Sequence, residues 1–250
     1  MEIIFTGTGS SRASIDRFHS SILITTRFTQ VLVDAGDGVA YSLLKQKIKP
    51  EHIDCIILSH THSDHCSGLA SLLTQMKIEK RTAPLKIITG ELLIKQLKNM
   101  LKLNYVFEDR LGFEVLFTGL KNNNRFVVDE QLSFIFTQNT HLEKYAACED
   151  ENLNLVSGSM LFYAGNKKIL YTADIGGKSD LYLFTEKPDW LISEISHIEE
   201  SDLKEYIENV KPQKVYLTHI DDESLASGRM KGLTGNKYVV FTYDGLKITL

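Results

Sequence analysis

The chain has 250 residues, of which 43% are hydrophobic and 24% charged, a composition typical of globular proteins. Collagen-like, low-complexity and disordered classes are therefore excluded. The formal charge is −4, so no overall positive field favours long nucleic acid or an anionic membrane. A local basic run at residues 77–102, with seven lysines and arginines against two glutamates, is compatible with a short nucleotide.

Sequence features also predict where the protein works. No run approaches the roughly 20 apolar residues of a membrane-spanning helix. Residues 1–5 lack the basic and long apolar regions of a signal peptide. The three cysteines, Cys55, Cys66 and Cys148, match no disulfide or Cys-x-x-Cys pattern. We therefore expect a cytoplasmic protein.

Apolar and β-branched runs bounded by turn residues predict thirteen strands. In chain order they are Ile3–Thr6, Ser21–Thr26, Gln30–Val33, Ile53–Leu58, Leu85–Thr89, Phe113–Phe117, Leu132–Thr137, Met160–Tyr163, Lys168–Thr172, Trp190–Ile192, Lys214–Leu217, Tyr238–Thr242 and Leu246–Leu250. Helical spacing predicts helices at Val39–Ile48, Leu69–Ile78, Leu92–Leu103 and Asp202–Val210. The asparagine-rich segment Lys121–Arg125 predicts a hairpin turn. No disordered linker divides the chain, so we expect one domain over residues 1–250.

A weak internal repeat predicts the architecture. An apolar strand ending in aspartate, followed closely by glycine, occurs at Asp34 and again at Asp174. Each is followed by a helix, a Lys-Pro pair and a strand that ends in a histidine, His60 or His219. Two such α/β halves with outer helices predict a four-layer αββα sandwich. The alternative is a chance similarity between two ordinary α/β units.

The segment 60–65, His-Thr-His-Ser-Asp-His, is the strongest chemical signal. In extended chain, His60 and His62 point to one side and can bind one ion. Asp64 and His65, where the chain enters the predicted 67–78 helix, can reach a second ion. Imidazole and carboxylate ligands suit Zn²⁺, and also Mn²⁺ or Fe. A single histidine would be unremarkable, but four ligand groups in six residues predict a metal site.

This segment resembles the signature of the metallo-β-lactamase-fold hydrolase superfamily. The other motifs follow in the family's order: Asp34 in Asp-x-Gly, His141 in Thr-His, Asp174 in Ala-Asp-Ile-Gly, and His219 in Leu-Thr-His. The resemblance covers the whole chain and implies the αββα metallo-β-lactamase fold.

The resemblance implies two divalent ions, with Zn²⁺ expected first and Mn²⁺ or Fe as alternatives. The two ligand sets are His60, His62 and His141 for one ion, and Asp64, His65 and His219 for the other. Asp174 would bridge the ions, and Asp34 would orient a ligand histidine.

The first loop indicates which branch of this superfamily the chain resembles. Residues 7–11, Gly-Thr-Gly-Ser-Ser, follow the first strand and resemble the ribonuclease Z and phosphodiesterase branch. The backbone N–H groups of such a loop can approach a phosphate, although a tight turn also needs glycine.

Two departures argue against a tRNA-processing enzyme. That family's tRNA-clamping arm lies between positions matching His141 and Asp174, which here are only 33 positions apart. In that family, a His-Glu-Ala-Thr segment carries a histidine that assists the leaving group. The matching segment here is 193–196, and Ser193 stands in the place of that histidine. His197 is the nearby candidate for that role, and the alternative is a solvated histidine at a helix start.

We therefore predict a dinuclear-metal hydrolase that cleaves a nucleotide or another small phosphodiester with an activated hydroxide. Asp64 would orient the nucleophile and accept its proton. Two alternatives remain: hydrolysis of a lactone, β-lactam or thioester, and a non-catalytic metal-binding sensor or assembly protein. The expected partner is a small phosphorylated substrate, with no long nucleic acid or membrane, and a homodimer is left open. The acidic loop 143–154 is either a lid or only a connection.

Overall fold

Fourteen strands form two mixed sheets in the computed structural model, which describes residues 1–148 and 153–250. The first sheet has the order β14-β1-β2-β3-β4-β5-β6. Its strands are β1 (Glu2–Gly7), β2 (Ser21–Thr25), β3 (Gln30–Val33), β4 (Cys55–Ile57), β5 (Leu85–Gly90), β6 (Val115–Leu120) and β14 (Leu246–Thr249). Strands β3 to β6 run parallel and the remaining pairs are antiparallel.

The second sheet has the order β13-β12-β11-β10-β9-β8-β7. Its strands are β7 (Arg125–Val127), β8 (Leu132–Gln138), β9 (Gly158–Ala164), β10 (Lys167–Tyr171), β11 (Trp190–Glu194), β12 (Lys214–Thr218) and β13 (Val239–Phe241). Strands β10 to β13 run parallel, and β7 to β10 are joined antiparallel.

Helices flank both sheets, as expected for the αββα sandwich of the metallo-β-lactamase fold. They are α1 (Val39–Lys45), α2 (Ser63–Cys66), α3 (Leu69–Ile78), α4 (Ile94–Leu103), α5 (Glu200–Val210) and α6 (Asp222–Ala226). Apolar residues of α1, α3 and α4 pack on the outer face of the first sheet, and those of α5 pack on the second. Within the described residues, no helix combines the length and apolar content that crossing a membrane requires.

Alternating side chains along the strands create the layers. In β1, Ile3 and Phe5 lie between the sheets, where Phe134 of the second sheet also lies, whereas Ile4 faces the outer helices. In β10, Ile169 lies in the core between the sheets and Leu170 faces α5 and its neighbours. Both faces of each sheet are therefore covered, as parallel strands require.

Each half delivers an aspartate and a histidine from the ends of its strands, as the internal repeat predicts, but only the aspartates follow equivalent strands. When the two sheets are aligned strand by strand, with β14 opposite β7, strand β3 corresponds to β10. Asp34 and Asp174 therefore follow equivalent strands. His60 follows β4 but His219 follows β12, which matches β5. In the second half, strand β11 and helix α5 lie between Asp174 and β12, and no such extra strand lies in the described residues between Asp34 and β4.

The prediction of a hairpin at 121–125 is wrong, because the two flanking strands do not pair. The chain does turn there, but β6 before the turn belongs to the first sheet and β7 after it belongs to the second. The segment is therefore a crossover between layers. The short edge strand β7, which pairs with β8, was absent from the prediction.

Candidate metal centre

The seven predicted ligands come together at one edge of the sandwich. His60 and His62 follow β4, and α2 carries the next two ligands of the segment 60–65. His141, Asp174 and His219 follow β8, β10 and β12 of the facing sheet. Carboxyl ends of parallel strands meet at one sheet edge, which explains why distant segments converge here. Two groups of four side chains result, and both contain Asp174.

The first group is His60, His62, His141 and Asp174. His62 Nδ1 lies 3.1 Å from His141 Nε2, and Asp174 Oδ2 lies 3.6 Å from the same His141 atom. All four potential ligand atoms lie within 4.8 Å of one another. Three imidazoles and one carboxylate are a suitable donor set for a divalent transition ion.

The second group is Asp64, His65, Asp174 and His219. Asp174 Oδ1 lies 3.1 Å from His65 Nε2 and 3.3 Å from His219 Nε2. Asp64 Oδ2 lies 3.0 Å from His219 Nε2. Asp174 thus turns one carboxylate oxygen to each group, which is the geometry a bridging ligand needs.

Unsatisfied buried atoms support the fit to metal ions. His60 Nε2, His65 Nε2 and Asp174 Oδ1 are buried and make no hydrogen bond within the described part of the chain. Such groups are costly unless something else satisfies them, because burial removes their water. A cation accounts for a cluster of lone pairs that converge on one another, so the residues present fit a divalent ion in each group.

The ionisation states of His60, His141 and Asp64 also suit cation binding. Burial lowers the pKa of His141 to about 3 and that of His60 well below its usual value, so both rings are neutral and keep a lone pair. Burial raises the pKa of Asp64, but the hydrogen bond from His219 and the charge of His65 outweigh it and lower that pKa to about 2. Asp64 is therefore a carboxylate at neutral pH.

Two glycines allow the close packing that positions α2. A Cβ on Gly36 would lie 2.2 Å from the carbonyl oxygen of Asp64, and a Cβ on Gly68 would lie 2.1 Å from that of Gly36. The backbone N–H of Ala35 donates to the His65 carbonyl across this contact, at 2.7 Å. The loop after β3 therefore supports the ligands of α2 directly. The predicted helix at 69–78 is confirmed as α3, and Asp64 and His65 lie in a separate short helix, α2, ahead of it.

Left-handed backbone occurs where the chain leaves the strands that carry residues of the site. Asp34 has φ 60°, His219 has φ 56° and Ala173, beside Asp174, has φ 48°. Residues other than glycine rarely adopt this conformation, which costs of order 1–3 kcal/mol where it is strained. Its recurrence here indicates that packing around the site over-determines the backbone.

Three amides of the first loop are already paired within the protein and are not free to cradle a phosphate. The N–H of Thr8 donates to Asp244, that of Gly9 to the Phe18 carbonyl, and that of Ser10 to the Ile220 carbonyl. A Cβ on Gly7 would collide with a backbone carbonyl at 1.9 Å. The glycines are therefore required for close packing, and the loop supports the segment that carries the neighbouring ligand, His219.

His197 lies beside both groups of ligands. Its Nδ1 lies 3.8 Å from Asp174 Oδ2, and its ring centroid lies 4.7 Å from that of His141. It precedes α5, and its side chain is 30% exposed, so it lies between the cluster and solvent. This position is what a proton donor to a leaving group needs.

Glu194 is a residue of the site that the sequence interpretation missed. It is buried, and its Oε2 accepts the backbone N–H of His197 at 2.8 Å and lies 3.4 Å from His197 Nδ1. Glu194, His197 and His219 form a third cluster of potential ligand atoms. The sequence signal was the Glu-x-x-His spacing, which alone is too common to be informative.

Cys66 adds no chemistry to the site. Burial raises the pKa of its thiol to about 12, and the thiol donates to the Thr61 carbonyl. It is therefore a small packed residue. The candidate lid at 143–154 lies partly outside the described residues, which omit 149–152.

Comparison with known proteins identifies the family. Residues 1–237 match the family described as "Anti-Pycsar protein Apyc1". The chain belongs to that family. This Apyc1-family chain is also 34% identical over 124 residues to a ribonuclease Z from Aeropyrum pernix, over 49% of this chain and 39% of the relative.

A ribonuclease Z from Thermococcus sibiricus matches the Apyc1-family chain more fully, at 26% identity over 87% of this chain and 84% of the relative. The matches to the first three curated relatives cover less than half of those proteins' own length. The solved structures with this fold include human tRNase Z, short form, with a TM-score of 0.74 and 19% identity over 100% of this chain and 99% of that one. A diphosphatase of the PhnP family has a TM-score of 0.69 and 18% identity over 100% and 97%. The metallo-β-lactamase fold and the ribonuclease Z-like branch are thus confirmed.

Proposed function

We propose that this chain is a metal-dependent phosphodiesterase that cleaves a nucleotide or another small phosphodiester. The observation that carries the proposal is the pair of ligand groups that share Asp174, with one carboxylate oxygen toward each group. Paired divalent ions are a recurrent device for phosphoester hydrolysis. We propose Zn²⁺ as the native ion, because three of the four side chains in the first group and two of the four in the second are histidines.

The bound ions would activate a water molecule as the nucleophile and stabilise the negative charge that develops on the phosphoryl oxygens. Of the ligands, Asp64 keeps an ionised carboxylate in the centre, so it can accept a hydrogen bond from the attacking water and orient it. His197 would protonate the leaving oxygen, and Glu194 would orient His197, since the two side chains lie 3.4 Å apart.

A small substrate is favoured over long RNA. The segment between His141 and Asp174 contains β9 and β10, which belong to the core sheet, and leaves little chain for an RNA-binding arm. The relatives named ribonuclease Z make RNA the natural comparison substrate. The net charge of −4 also disfavours a long polyanion.

A substrate panel tests the proposal. Protein loaded in turn with Zn²⁺, Mn²⁺ and Fe²⁺ would be assayed with bis(p-nitrophenyl) phosphate, cyclic nucleotides, a short RNA, a lactone and a thioester. We expect turnover of the small phosphodiesters. Cleavage of the lactone or thioester without any phosphodiester turnover would instead support the carbonyl hydrolase.

Two variants control the panel. Asp64→Ala should abolish turnover, whereas Asp109→Asn, on the exposed segment 108–110, should leave it unchanged. A metal-binding sensor would show no turnover in any form and would keep its partner affinity in Asp64→Ala.

A further inference from the structure

One buried carboxylate connects the two ligand groups. Asp34 is fully buried, and its Oδ1 accepts the backbone N–H of Ser59 at 2.8 Å. Its Oδ2 lies 2.9 Å from His65 Nδ1, 3.0 Å from Ser59 Oγ and 2.8 Å from Tyr171 Oη. A carboxylate only accepts hydrogen bonds, so each of these four groups donates to it.

Tyr171 belongs to the opposite sheet. It ends β10, three residues before Asp174, and its ring packs in the core between the sheets. Burial and the nearby Asp34 charge raise the pKa of Tyr171 well above its usual value, so the phenol keeps its proton and donates it to Asp34. This bond ties Asp34, at the end of β3, to the strand that delivers the shared ligand.

The hydrogen bonds around Asp34 determine which ring nitrogen of His60 and of His65 remains available to an ion. Because His65 donates from Nδ1 to Asp34, its Nε2 is the ring nitrogen that faces Asp174 and is left to bind an ion. Ser59 uses its one hydroxyl proton on Asp34, so its oxygen accepts from His60 Nδ1, 3.0 Å away. His60 Nε2 is then left with a lone pair and has no hydrogen-bond partner within the described chain.

We propose that Ser59 and Tyr171 are positioning residues that act through Asp34 to hold the Nδ1–H tautomer of one histidine in each ligand group. The inference rests on the metal centre of the proposed function. It predicts that the two ligand groups are coupled. The Tyr171 hydroxyl donates to Asp34, and Asp34 accepts from His65 directly and is linked to His60 through Ser59. Outer partners of metal-binding histidines typically change metal affinity by about 10–100-fold.

Zinc titration of metal-free protein against a chromophoric chelator tests the inference. Tyr171→Phe and Ser59→Ala remove one hydroxyl each and should weaken zinc binding about tenfold or more. Tyr216→Phe is the matched control for the first, because Tyr216 is buried in the same core between the sheets. Ser157→Ala is the control for the second, because the Ser157 hydroxyl is buried and unpaired within the described residues. Both controls should bind zinc within twofold of the unchanged protein.

A spectroscopic measurement separates tautomer control from simple destabilisation. In ¹⁵N spectra of the zinc-loaded protein, Ser59→Ala should disturb the Nδ1–H signal of His60, and Ser59→Thr, which restores a hydroxyl, should recover it. Wild-type zinc affinity in both Tyr171→Phe and Ser59→Ala would overturn the proposal. So would affinity losses that the two controls share.

The experiment uses no substrate, so its failure is distinct from failure of the proposed function. Tight zinc binding that depends on Ser59 and Tyr171, without any phosphodiester turnover, would support this inference and contradict the phosphodiesterase. Phosphodiester turnover, together with a zinc affinity that neither Tyr171→Phe nor Ser59→Ala changes, would support the phosphodiesterase and contradict this inference.

Discussion

Asp174 is the residue on which both ligand groups depend. Its pKa is raised by burial, but the charges of His219 and His65 outweigh that effect and hold the pKa well below the usual value. The carboxylate is therefore charged and fully buried, a state that is costly unless cations compensate it. Without ions, the charged histidines His219 and His65 supply that compensation, and bound ions would replace their protons.

Substituting Asp174→Asn should remove tight binding of both ions, because the amide offers one oxygen and loses the negative charge. We expect metal content after dialysis to fall by more than half and phosphodiester turnover by at least about 100-fold. Elemental analysis and the p-nitrophenolate assay measure the two effects. Loss of one ion only, with the other retained at full affinity, would contradict a shared ligand.

The role of His197 can be separated from metal binding by changing the leaving group. His197→Ala should slow cleavage of an alkyl or ribose ester by about 10²–10⁴-fold, because an alkoxide must be protonated as it leaves. Cleavage of a p-nitrophenyl ester should change only a few-fold, because that leaving group is stable as an anion. Equal losses with both substrates would assign His197 to metal binding or to packing.

The sequence predicted residues that stand in motifs and missed those that act through long-range contacts. The seven predicted ligands lie in short recognisable patterns, and the structure brings all seven together. Tyr171 meets Asp34 across 137 positions, and only the packing of one sheet on the other creates that pair. Nothing local distinguishes Tyr171 from other strand tyrosines, so sequence patterns could not single it out.

Among the connecting elements, the turn before β8 is attached to the turn between β2 and β3. Asp129 Oδ2 accepts the hydroxyl groups of Thr26 at 2.6 Å and Thr29 at 2.5 Å. Its Oδ1 accepts the backbone N–H groups of Gln131 and Leu132. One carboxylate thus caps its own turn and joins the two sheets at the edge strand β7.

Replacing Asp129 with asparagine should reduce the free energy of unfolding by about 1 kcal/mol at pH 7. Burial raises the pKa of Asp129, but the threonine and backbone hydrogen bonds outweigh it and lower the pKa. The stabilisation is therefore complete above the unfolded value near 3.9 and is lost as the pH falls through the lower folded value. Urea unfolding at pH 7 and near pH 3 should show the difference between the proteins shrinking in acid. A difference that is constant with pH would contradict this account.

Local turn chemistry explains why the segment 121–125 was misassigned. Consecutive asparagines indicate that the chain bends, and it does bend there. They carry no information about which sheet receives the next strand. That choice depends on β7 pairing with β8, which buries Phe126 against Phe134. Non-local packing therefore decides between a hairpin and a crossover.

At the scale of the whole molecule, the metal centre joins the two sheets. The segment 60–65 extends from the first sheet, whereas His141, Asp174 and His219 extend from the second. Each ligand group includes residues from both sheets. Bound ions would therefore stabilise the packing of one sheet on the other as well as the local loops.

Removing metal should consequently lower the melting temperature of the entire protein. An ion at 1,000 times its dissociation constant stabilises the folded state by about 4 kcal/mol, or roughly 10 °C for a chain of this size. Thermal melts with and without EDTA, followed by re-addition of Zn²⁺, measure the shift. Asp174→Asn should show little response to zinc. An EDTA effect of the same size in that variant would indicate zinc binding elsewhere.

The position of β14 has a consequence for biosynthesis. This strand pairs with β1, although β13 just before it belongs to the opposite sheet. Asp244, ahead of β14, accepts the backbone N–H groups of Thr8 and Phe18. A nascent chain therefore keeps β1 as an open edge until residues 244–249 leave the ribosome, and open edges invite pairing with other chains. Pairing of such high contact order is also slow to form. This edge of the first sheet is therefore open to such pairing for as long as the segment that carries β14 has not been made.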